Sequence, residues 1–386
     1  MYQRKRRRIN KNMITFRRYF ENKTLNEAFD PLDANLRPID ADKLVDYINR
    51  VIDKSKLKAS EKSSKGADYF HMPHIHPSVA KRVLITTPEG QTIDIEEFKK
   101  ILMKRPAELL RKNEKMQKSG TDNTVFFNTT LPALKGLVID EDTGEFKIVD
   151  TCPSAGGCQL VCYAKHGSYV MYPDVSMFQH KTLNYLFNDS EGFKDQMEAE
   201  IKLATVKNRG KKVQIRWNDS GDLLSPKFFN IVMGIAIATP FVDHYVYTKE
   251  VELVKNYPNP PENVIFNFSY GARKEQEKLI DPKKDKVSFI VNTEDSTKEP
   301  LLYNISKFKY MERDKASKKW VYTNPDAVKE IIAQRYEIDP ETLLTIDELK
   351  TTPQGEVGQY NVIVMPGESD LSASRRDVRG TYLIIH

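Results

Sequence analysis

The alternation of strand and helix patterns between residues 213 and 291 constrains the fold of this chain more than any other feature. Short runs rich in β-branched and aromatic residues alternate there with amphipathic helical runs. The strand patterns cover residues 213–217, 244–247, 264–268 and 287–291, and the helical patterns cover residues 228–239, 249–255 and 273–279. This alternation predicts βαβ units that form a parallel sheet.

Parallel α/β sheets bind their ligands at the carboxyl ends of their strands. The segments that would lie at this rim are residues 220–222, 248–249, 269–271 and 292–293. Upstream, residues 94–117 read as a helix that Asp94 caps, with Glu97 completing a capping box and Pro106 interrupting it. Residues 137–139 and 146–149 then predict a hairpin that leads directly to Cys152.

All three cysteines of the chain, Cys152, Cys158 and Cys162, lie within eleven positions, in the pattern C-x5-C-x3-C. An odd number of cysteines cannot pair completely in internal disulfides. Thiolates held this close together repel one another unless a cation binds them, and thiolates suit zinc and iron–sulfur clusters. A reduced, buried set of small side chains is the alternative without a metal.

Two metal sites are compatible with the spacing. If the run after Gly157 is helical, Cys158, Cys162 and His166 share one face, and Cys152 folds over it to complete a tetrahedral zinc site. Without the histidine, three thiolates leave one iron of a [4Fe–4S] cluster open to a small chelating ligand. The two sites predict different roles for His166, and the spacing alone does not decide between them.

Composition and charge set wide limits on the function. The chain has 386 residues, of which 39% are apolar and 30% charged, and its formal net charge is +6. No apolar run approaches the roughly 20 residues that span a bilayer, and no secretory signal pattern is visible, so we expect a reducing cytoplasm. The charge permits a nucleic-acid partner without requiring one.

The termini carry further charged and polar segments. The cationic run at residues 4–8 is typical of a solvated tail with weak, salt-sensitive attraction to phosphates, and residues 54–66 read as a Lys/Ser linker. Between them, apolar residues at helical spacing predict a helix over residues 40–54. Near the other end, Arg375, Arg376 and Arg379 are interpreted as a solvated turn, with a phosphate grip as the alternative.

Three of the seven histidines, His71, His74 and His76, lie within six residues. Because Pro73 and Pro77 make this segment extended, neighbouring side chains diverge. We therefore expect polar packing or contact with a ligand pocket there rather than a metal site.

Four short motifs support a family resemblance. The Cys-Pro-x-Ala-Gly core at Cys152 and the Cys-Tyr-Ala step at residues 162–164 are two of them, and the others are the Ser-Gly-Asp turn at residues 220–222 and the Tyr-Thr-Lys strand end at residues 247–249. Together they resemble the bacteriophage gene-eighty-eight-type protein family, across roughly residues 120–290. The resemblance implies a phage origin and no assigned reaction. For a chain that a phage encodes, the expected cytoplasm is that of the host.

A broader likeness is to radical S-adenosylmethionine enzymes, which hold a [4Fe–4S] cluster on three cysteines after their first strand. The order here is similar: a hairpin, a three-cysteine loop, a long helix and a strand ending in a Ser-Gly-Asp turn, although the cysteine spacing is longer than in those enzymes. The likeness implies a cluster on Cys152, Cys158 and Cys162. It also implies an S-adenosylmethionine site formed by Tyr163, Ser220, Gly221, Asp222 and Lys249.

With this likeness, the predicted fold is α/β, with a partial (βα) barrel-like parallel sheet, a helical N-terminal extension and a C-terminal α+β extension. The predicted regions are a tail, helix and linker at 1–66, a cysteine-motif core at 67–294 and an extension at 295–386. The predicted function is an iron–sulfur enzyme of radical S-adenosylmethionine type, with a nucleotide or nucleic acid as candidate substrate. The alternative is a zinc-containing accessory protein that binds nucleic acid, with the metal on the cysteines and His166. A metal kept only as a structural staple is a third possibility.

Overall fold

An open sheet of eight parallel strands forms the centre of the structure. A computed structural model of the chain describes residues 29–56, 72–88, 90–160, 162–165, 168–291, 311–316, 320–364 and 370–384. In spatial order the strands of this main sheet are β13 (Leu343–Thr345), β14 (Tyr360–Val364), β15 (Val378–Ile384), β10 (Val287–Val291), β9 (Val264–Ser269), β8 (Asp243–Thr248), β7 (Lys212–Trp217) and β4 (Thr124–Asn128).

The main sheet confirms the predicted parallel α/β class but does not close into a barrel. Strands β4, β7, β8, β9 and β10 follow one another in chain order, as along a barrel wall. The order then reverses. The last strand of the chain, β15, pairs with β10, and the earlier strands β14 and β13 lie successively further out, with β13 at the edge. The main sheet therefore spans the boundary that the sequence analysis places at residue 294.

Three smaller sheets accompany the main one. A three-stranded antiparallel sheet contains β1 (Arg37–Ile39), β6 (Phe146–Asp150) and β5 (Lys135–Ile139), and it includes the predicted hairpin before Cys152. Two-stranded sheets pair β2 (Leu84–Thr87) with β3 (Gly90–Ile93), and β11 (Met311–Arg313) with β12 (Trp320–Tyr322).

The helices cover both faces of the sheets. They are α1 (Ala41–Lys56), α2 (Pro77–Arg82), α3 (Ile95–Met103), α4 (Glu114–Ser119), α5 (Ser168–Met171), α6 (Pro173–Asn188), α7 (Ser190–Lys207), α8 (Pro226–Ala238), α9 (Val251–Lys255), α10 (Lys274–Glu277), α11 (Pro325–Tyr336), α12 (Ile346–Thr351) and α13 (Asp370–Ser374). Asp94 caps α3 through the amide of Glu97, as predicted, and the helix ends before Pro106. Among the described residues no helix combines the length and apolarity that crossing a membrane requires.

Among the described residues, three clusters of buried side chains hold these layers together. The largest lies between the main sheet and its helices and contains Trp217, Phe228 and Phe229, all essentially inaccessible to solvent. A smaller cluster around Tyr245 and Leu349 packs α12 and α13 against the main sheet. The remaining cluster lies where α1, α2, α3 and α6 pack against the three-stranded sheet, around Ile48 and Phe98. The N-terminal helices therefore stabilise the hairpin that leads into the cysteine loop.

A buried ion pair joins the two halves of the main sheet. Arg216 on β7 donates to the Oδ1 atom of Asp370 on α13 at 2.8 Å, and their side chains are 4% and 0% exposed. The Tyr245 hydroxyl donates to the same carboxylate at 3.0 Å. Because both charges are removed from water, each depends on the other for its compensation.

Removing one partner of this pair should therefore destabilise the whole protein. We expect Asp370→Ala to lower the free energy of unfolding by about 3–5 kcal/mol, because it leaves the guanidinium of Arg216 buried without a counterion. Urea denaturation followed by circular dichroism measures the loss. Asp347→Ala is the control. The side chain of Asp347 is 84% exposed, so its ion pair with Lys350 should contribute about 1 kcal/mol or less. Equal losses for the two variants would contradict the argument.

Candidate functional site

The cysteine loop follows β6 and is held against the end of β9. The carbonyl oxygen of Gly271 accepts from the amides of Gly156 and Cys158, both at 3.0 Å. Ala155 and Ala272 form an isolated antiparallel bridge beside this contact. A Cβ atom on Gly156 would lie 2.1 Å from the carbonyl oxygen of Ala272, so only glycine permits this close approach.

The prediction of a continuous helix after Gly157 was wrong. The described residues form two short 3-10 turns, Gly157–Gln159 and Tyr163–Lys165, closed by i to i+3 hydrogen bonds such as Lys165 N to Cys162 O at 3.0 Å. The amide of Cys158 donates to the carbonyl oxygen of Gly271, so a contact distant in sequence fixes the backbone where the first turn begins. Residue His166 lies outside the described residues, so the predicted fourth zinc ligand stays a prediction.

The three thiols lie near one another at the rim of the main sheet. All three cysteines are unpaired in disulfides and retain solvent-accessible surface. Burial, Asp222 and Cys162 raise the pKa of Cys152, while burial and Cys158 raise the pKa of Cys162. The thiols are therefore partly buried and within electrostatic reach of one another, and we call their surroundings the cysteine recess. Among the described residues, however, no set of three or more His, Cys, Asp or Glu side chains converges to enclose a metal ion.

Two lysines supply positive charge to the recess. Burial alone would lower the pKa of Lys249, but Cys158, Asp222 and Cys152 raise it above its ordinary value. Burial lowers the pKa of Lys165, and the three thiols act in the opposite direction. Both ammonium groups therefore lie within electrostatic reach of the sulfur atoms, and they would offset the negative charge of thiolates.

Asp222 lies beside the thiols, but its carboxylate is largely engaged within the protein. Its Oδ1 atom accepts from Leu223 N and Thr248 Oγ1, both at 2.7 Å, and its Oδ2 atom accepts from Lys249 N at 2.9 Å. Its own amide donates to the carbonyl of Thr151 at 2.8 Å. Because these bonds come from separate segments, Asp222 acts first as a clamp between β7, β8 and the cysteine loop. One lone-pair site on Oδ2 is left for a bound amino group.

The rest of the predicted Ser-Gly-Asp turn shows the features of a binding site. The Ser220 hydroxyl is buried and has no hydrogen-bond partner among the described residues. Gly221 has φ +80°, and a Cβ atom there would lie 2.8 Å from Leu131 Cβ. An unsatisfied buried hydroxyl at a strand end is costly, and a ligand or water that accepts its hydrogen bond relieves that cost.

Tyr163 covers part of this recess. Its hydroxyl donates to the carbonyl of Asp219 and lies 3.3 Å from the guanidinium of Arg216, while the side chain as a whole is 54% exposed. The ring packs edge-on against Tyr169 with centroids 5.6 Å apart. The position of the ring is therefore fixed by buried contacts, although one face meets solvent.

Sequence analysis missed Glu250, which follows Lys249 at the end of β8. Its carboxylate accepts from both the amide and the hydroxyl of Ser154 in the cysteine loop, each at 2.8 Å. Burial and the neighbouring Asp222 raise the pKa of Glu250 to about 7. In the sequence, Glu250 looks like an ordinary polar side chain at the start of a helix. The one signal that could have identified it is its position directly after Lys249, a predicted rim residue.

The remaining candidate residues lie apart from the cysteines or outside the described chain. The basic run at residues 4–8, His71 and residues 292–293 are outside the described residues. His76 caps α2 by accepting from Ser78 N at 3.1 Å. Burial lowers the pKa of His74 to about 4, with His180 and His76 adding to the effect, so its ring packs as a neutral group.

Arg375 and Arg376 are engaged in structural contacts rather than free for a phosphate. The guanidinium of Arg375 pairs with Asp377 at 2.5 Å and donates to the carbonyls of Leu349 and Thr352 at the end of α12. Arg376 donates to the carbonyl of Glu262. The predicted solvated turn is therefore a set of hydrogen bonds that fix the start of β15.

Comparison with known proteins finds one family. The sequence profile of the family described as Gene product 88 matches residues 103–334, which include the cysteine loop and the rim of the main sheet from β4 to β10. No curated protein and no solved structure matches the chain significantly.

The contact between the cysteine loop and Gly271 predicts thiol reactivity. Gly271 has φ +88°, and a Cβ atom there would lie 2.9 Å from Cys158 Cβ. We expect Gly271→Ala to weaken the docking of the loop by about 1–3 kcal/mol and to accelerate thiol modification by Ellman's reagent. Gly210→Ala is the matched control, because φ is +82° there and no atom lies within 4 Å. Equal rates in the two variants would show that the contact does not protect the thiols.

The raised pKa of Glu250 predicts how stability depends on pH. The folded protein keeps a proton on this carboxyl up to about pH 7, whereas the unfolded chain releases it near the ordinary glutamate pKa of 4.5. Stability contributed by this group therefore falls as pH rises between these values, by about 3 kcal/mol in total. Urea unfolding from pH 4.5 to 8 should show that Glu250→Gln removes this part of the decline. The exposed Glu252→Gln should keep the profile of the unaltered protein, and identical profiles for all three would refute the assignment.

Proposed function

We propose, from the premise that the chain belongs to the gene product 88 family, that it is a bacteriophage iron–sulfur enzyme of the radical S-adenosylmethionine type. The observation that carries the proposal is the shared recess of Cys152, Cys158 and Cys162 at the carboxyl edge of a parallel sheet. Asp222 and Lys249, on two neighbouring strand ends, lie within electrostatic reach of these thiols. Ligand sites of parallel α/β sheets occur at this edge.

The donor set supports a cluster, because three cysteine thiolates leave one iron of a [4Fe–4S] cubane open to a second ligand. Among the described residues no group of side chains is positioned to hold a metal ion, so binding of any metal requires the cysteine loop to move. A cubane cluster separates its cysteine ligands more widely than a zinc ion does. With S-adenosylmethionine, such a cluster supplies reductive cleavage to a carbon radical that removes hydrogen from a substrate. Lys249 and Lys165 would offset the negative charge of the thiolates around it.

The chain's own residues would position the second ligand. The Ser220 hydroxyl is a buried polar atom without a partner in the described part of the chain, at the strand end next to Asp222. It can donate to a carboxylate, while the remaining lone pair of Asp222 Oδ2 can accept from an amino group. The exposed ring of Tyr163 lies at the mouth of the recess and would limit the entry of water.

Metal and sulfide analysis of protein purified without oxygen tests this proposal. We expect iron and inorganic sulfide at about four of each per chain, with a broad visible absorbance that bleaches on reduction. Cys158→Ser should abolish both signals. His166→Ala should retain them, because the cluster uses three cysteines only.

The alternative function would give the opposite pattern. One zinc per chain without sulfide, lost in His166→Ala, would replace the cluster by the Cys3His zinc site of a nucleic-acid-binding protein. Protein that holds no metal after reconstitution with iron and sulfide would overturn both assignments.

A further inference from the structure

An unusual concentration of exposed apolar side chains lies in the segment that contains and follows the last two cysteines. Leu160, Tyr163, Met171 and Tyr172 are 70%, 54%, 64% and 56% exposed, and we call them the apolar collar. The collar accounts for four of the twelve large apolar side chains that are exposed in the described parts of the chain, within thirteen residues. Exposed patches of this kind mark sites of interaction.

A group of cations continues from the collar along α6. Arg82 lies 3.7 Å from Met177 Sδ, and the guanidinium carbons of Arg111 and Arg105 lie 4.4 and 4.5 Å from the rings of Phe178 and Tyr185. At about 100° per residue, positions 177, 178, 181 and 185 lie on one side of α6. The cations along this side, which we call the basic face, are Arg82, Lys104, Arg105, Arg111 and Lys181.

The charges of the basic face are not compensated by ion pairs. None of its five cations forms an ion pair with any residue that the structure describes, whereas Lys99, Lys100 and Lys194 nearby each pair with an acid. Lys104 and Arg82 are close enough to Lys181 to lower its pKa, in addition to its burial, and Asp174 opposes them only in part. Like charges crowded in this way favour an anionic partner with several charges.

We propose that the basic face and the apolar collar together bind a single-stranded nucleic acid and lead it to the cysteine recess. The cations would contact successive phosphates, and the exposed rings of Tyr172 and Tyr163 would stack on bases. This combination of a cationic track with aromatic platforms is how proteins bind single strands without reading their sequence. Since it names the substrate class of the recess, the inference rests on the proposed function, but strand binding itself needs no metal.

An acidic protein is the other partner that a basic surface could take. The collar favours the strand, because two of its four members are tyrosines and Tyr163 is held rigidly by its buried hydroxyl. A fixed aromatic ring offers a stacking surface at little cost in conformational entropy. An acidic polypeptide would match the cations but would make no use of stacking.

Fluorescence anisotropy with labelled twenty-nucleotide DNA and RNA strands tests the proposal. The triple variant Arg82→Glu, Lys104→Glu, Lys181→Glu should weaken binding at least about tenfold and reduce the slope of log affinity against log salt by about two. Tyr172→Ala should weaken binding about fivefold or more with little change in that slope. A duplex of the same sequence should bind more weakly than either strand.

The matched control reverses the charges of three cations at the amino end of β7, away from the carboxyl ends where the cysteine loop lies. Lys207, Arg209 and Lys211 are exposed where α7 ends and β7 begins. Their replacement by glutamate makes the same change in net charge and should leave binding within about twofold of the unaltered protein. A separate variant, R4S/K5S/R6S/R7S/R8S, removes the contribution of the N-terminal tail.

Several results would overturn the inference. They are no binding of either strand at low salt, an equal loss in the control variant, or a loss only when the tail is altered. Competition by polyglutamate as strong as by unlabelled strand, with Tyr172→Ala unaffected, would assign the surface to an acidic protein instead. The triple variant should keep the iron and sulfide content of the unaltered protein, so failure of the cluster and failure of this surface are distinguishable.

Discussion

The buried carboxylate of Asp222 holds the candidate site together. It joins the turn after β7 to the end of β8 by accepting from Thr248 and Lys249, and its amide donates to Thr151 just before the first cysteine. Burying a carboxylate is unfavourable unless hydrogen bonds and opposite charge compensate it. These partners come from three separate segments. The buried carboxylate is therefore stabilised only when the three segments of the rim are correctly assembled.

The same region concentrates more charge than a purely structural contact requires. Glu250 is a second buried acid near Asp222. Burial and the charge of Asp222 raise the pKa of Glu250 to about 7. Burial alone would lower the pKa of Lys249, but Cys158 and Asp222 raise it, so its ammonium group lies within electrostatic reach of both. Groups whose pKa values are displaced by specific neighbours are typical of functional sites. This concentration of displaced pKa values makes the cysteine recess the strongest candidate for a functional site among the described residues.

The sequence predicts the repeating part of the fold because each strand of the main sheet is a local pattern. The run at residues 213–217 is confirmed as β7 (Lys212–Trp217), and Ser225 caps the helix that follows. The cysteine turns could not be predicted, because Gly271, over a hundred residues away, fixes the amide of Cys158. Pairing between β10 and β15 is equally non-local, so two terminal strands that were recognised individually were placed in an extension rather than in the main sheet.

If the proposed function holds, the open main sheet determines what kind of substrate can reach the cysteines. A closed barrel surrounds its site with strands, and its substrates enter through one mouth. Here the order of strands reverses after β10, and the cysteine loop lies across the ends of β8 and β9 with Leu160 and Tyr163 exposed beside it. An open rim would accept one unit of a long polymer while the rest of that polymer remains outside on the basic face. The two proposals are therefore compatible, because the same open rim would serve the proposed cysteine site and the proposed binding surface.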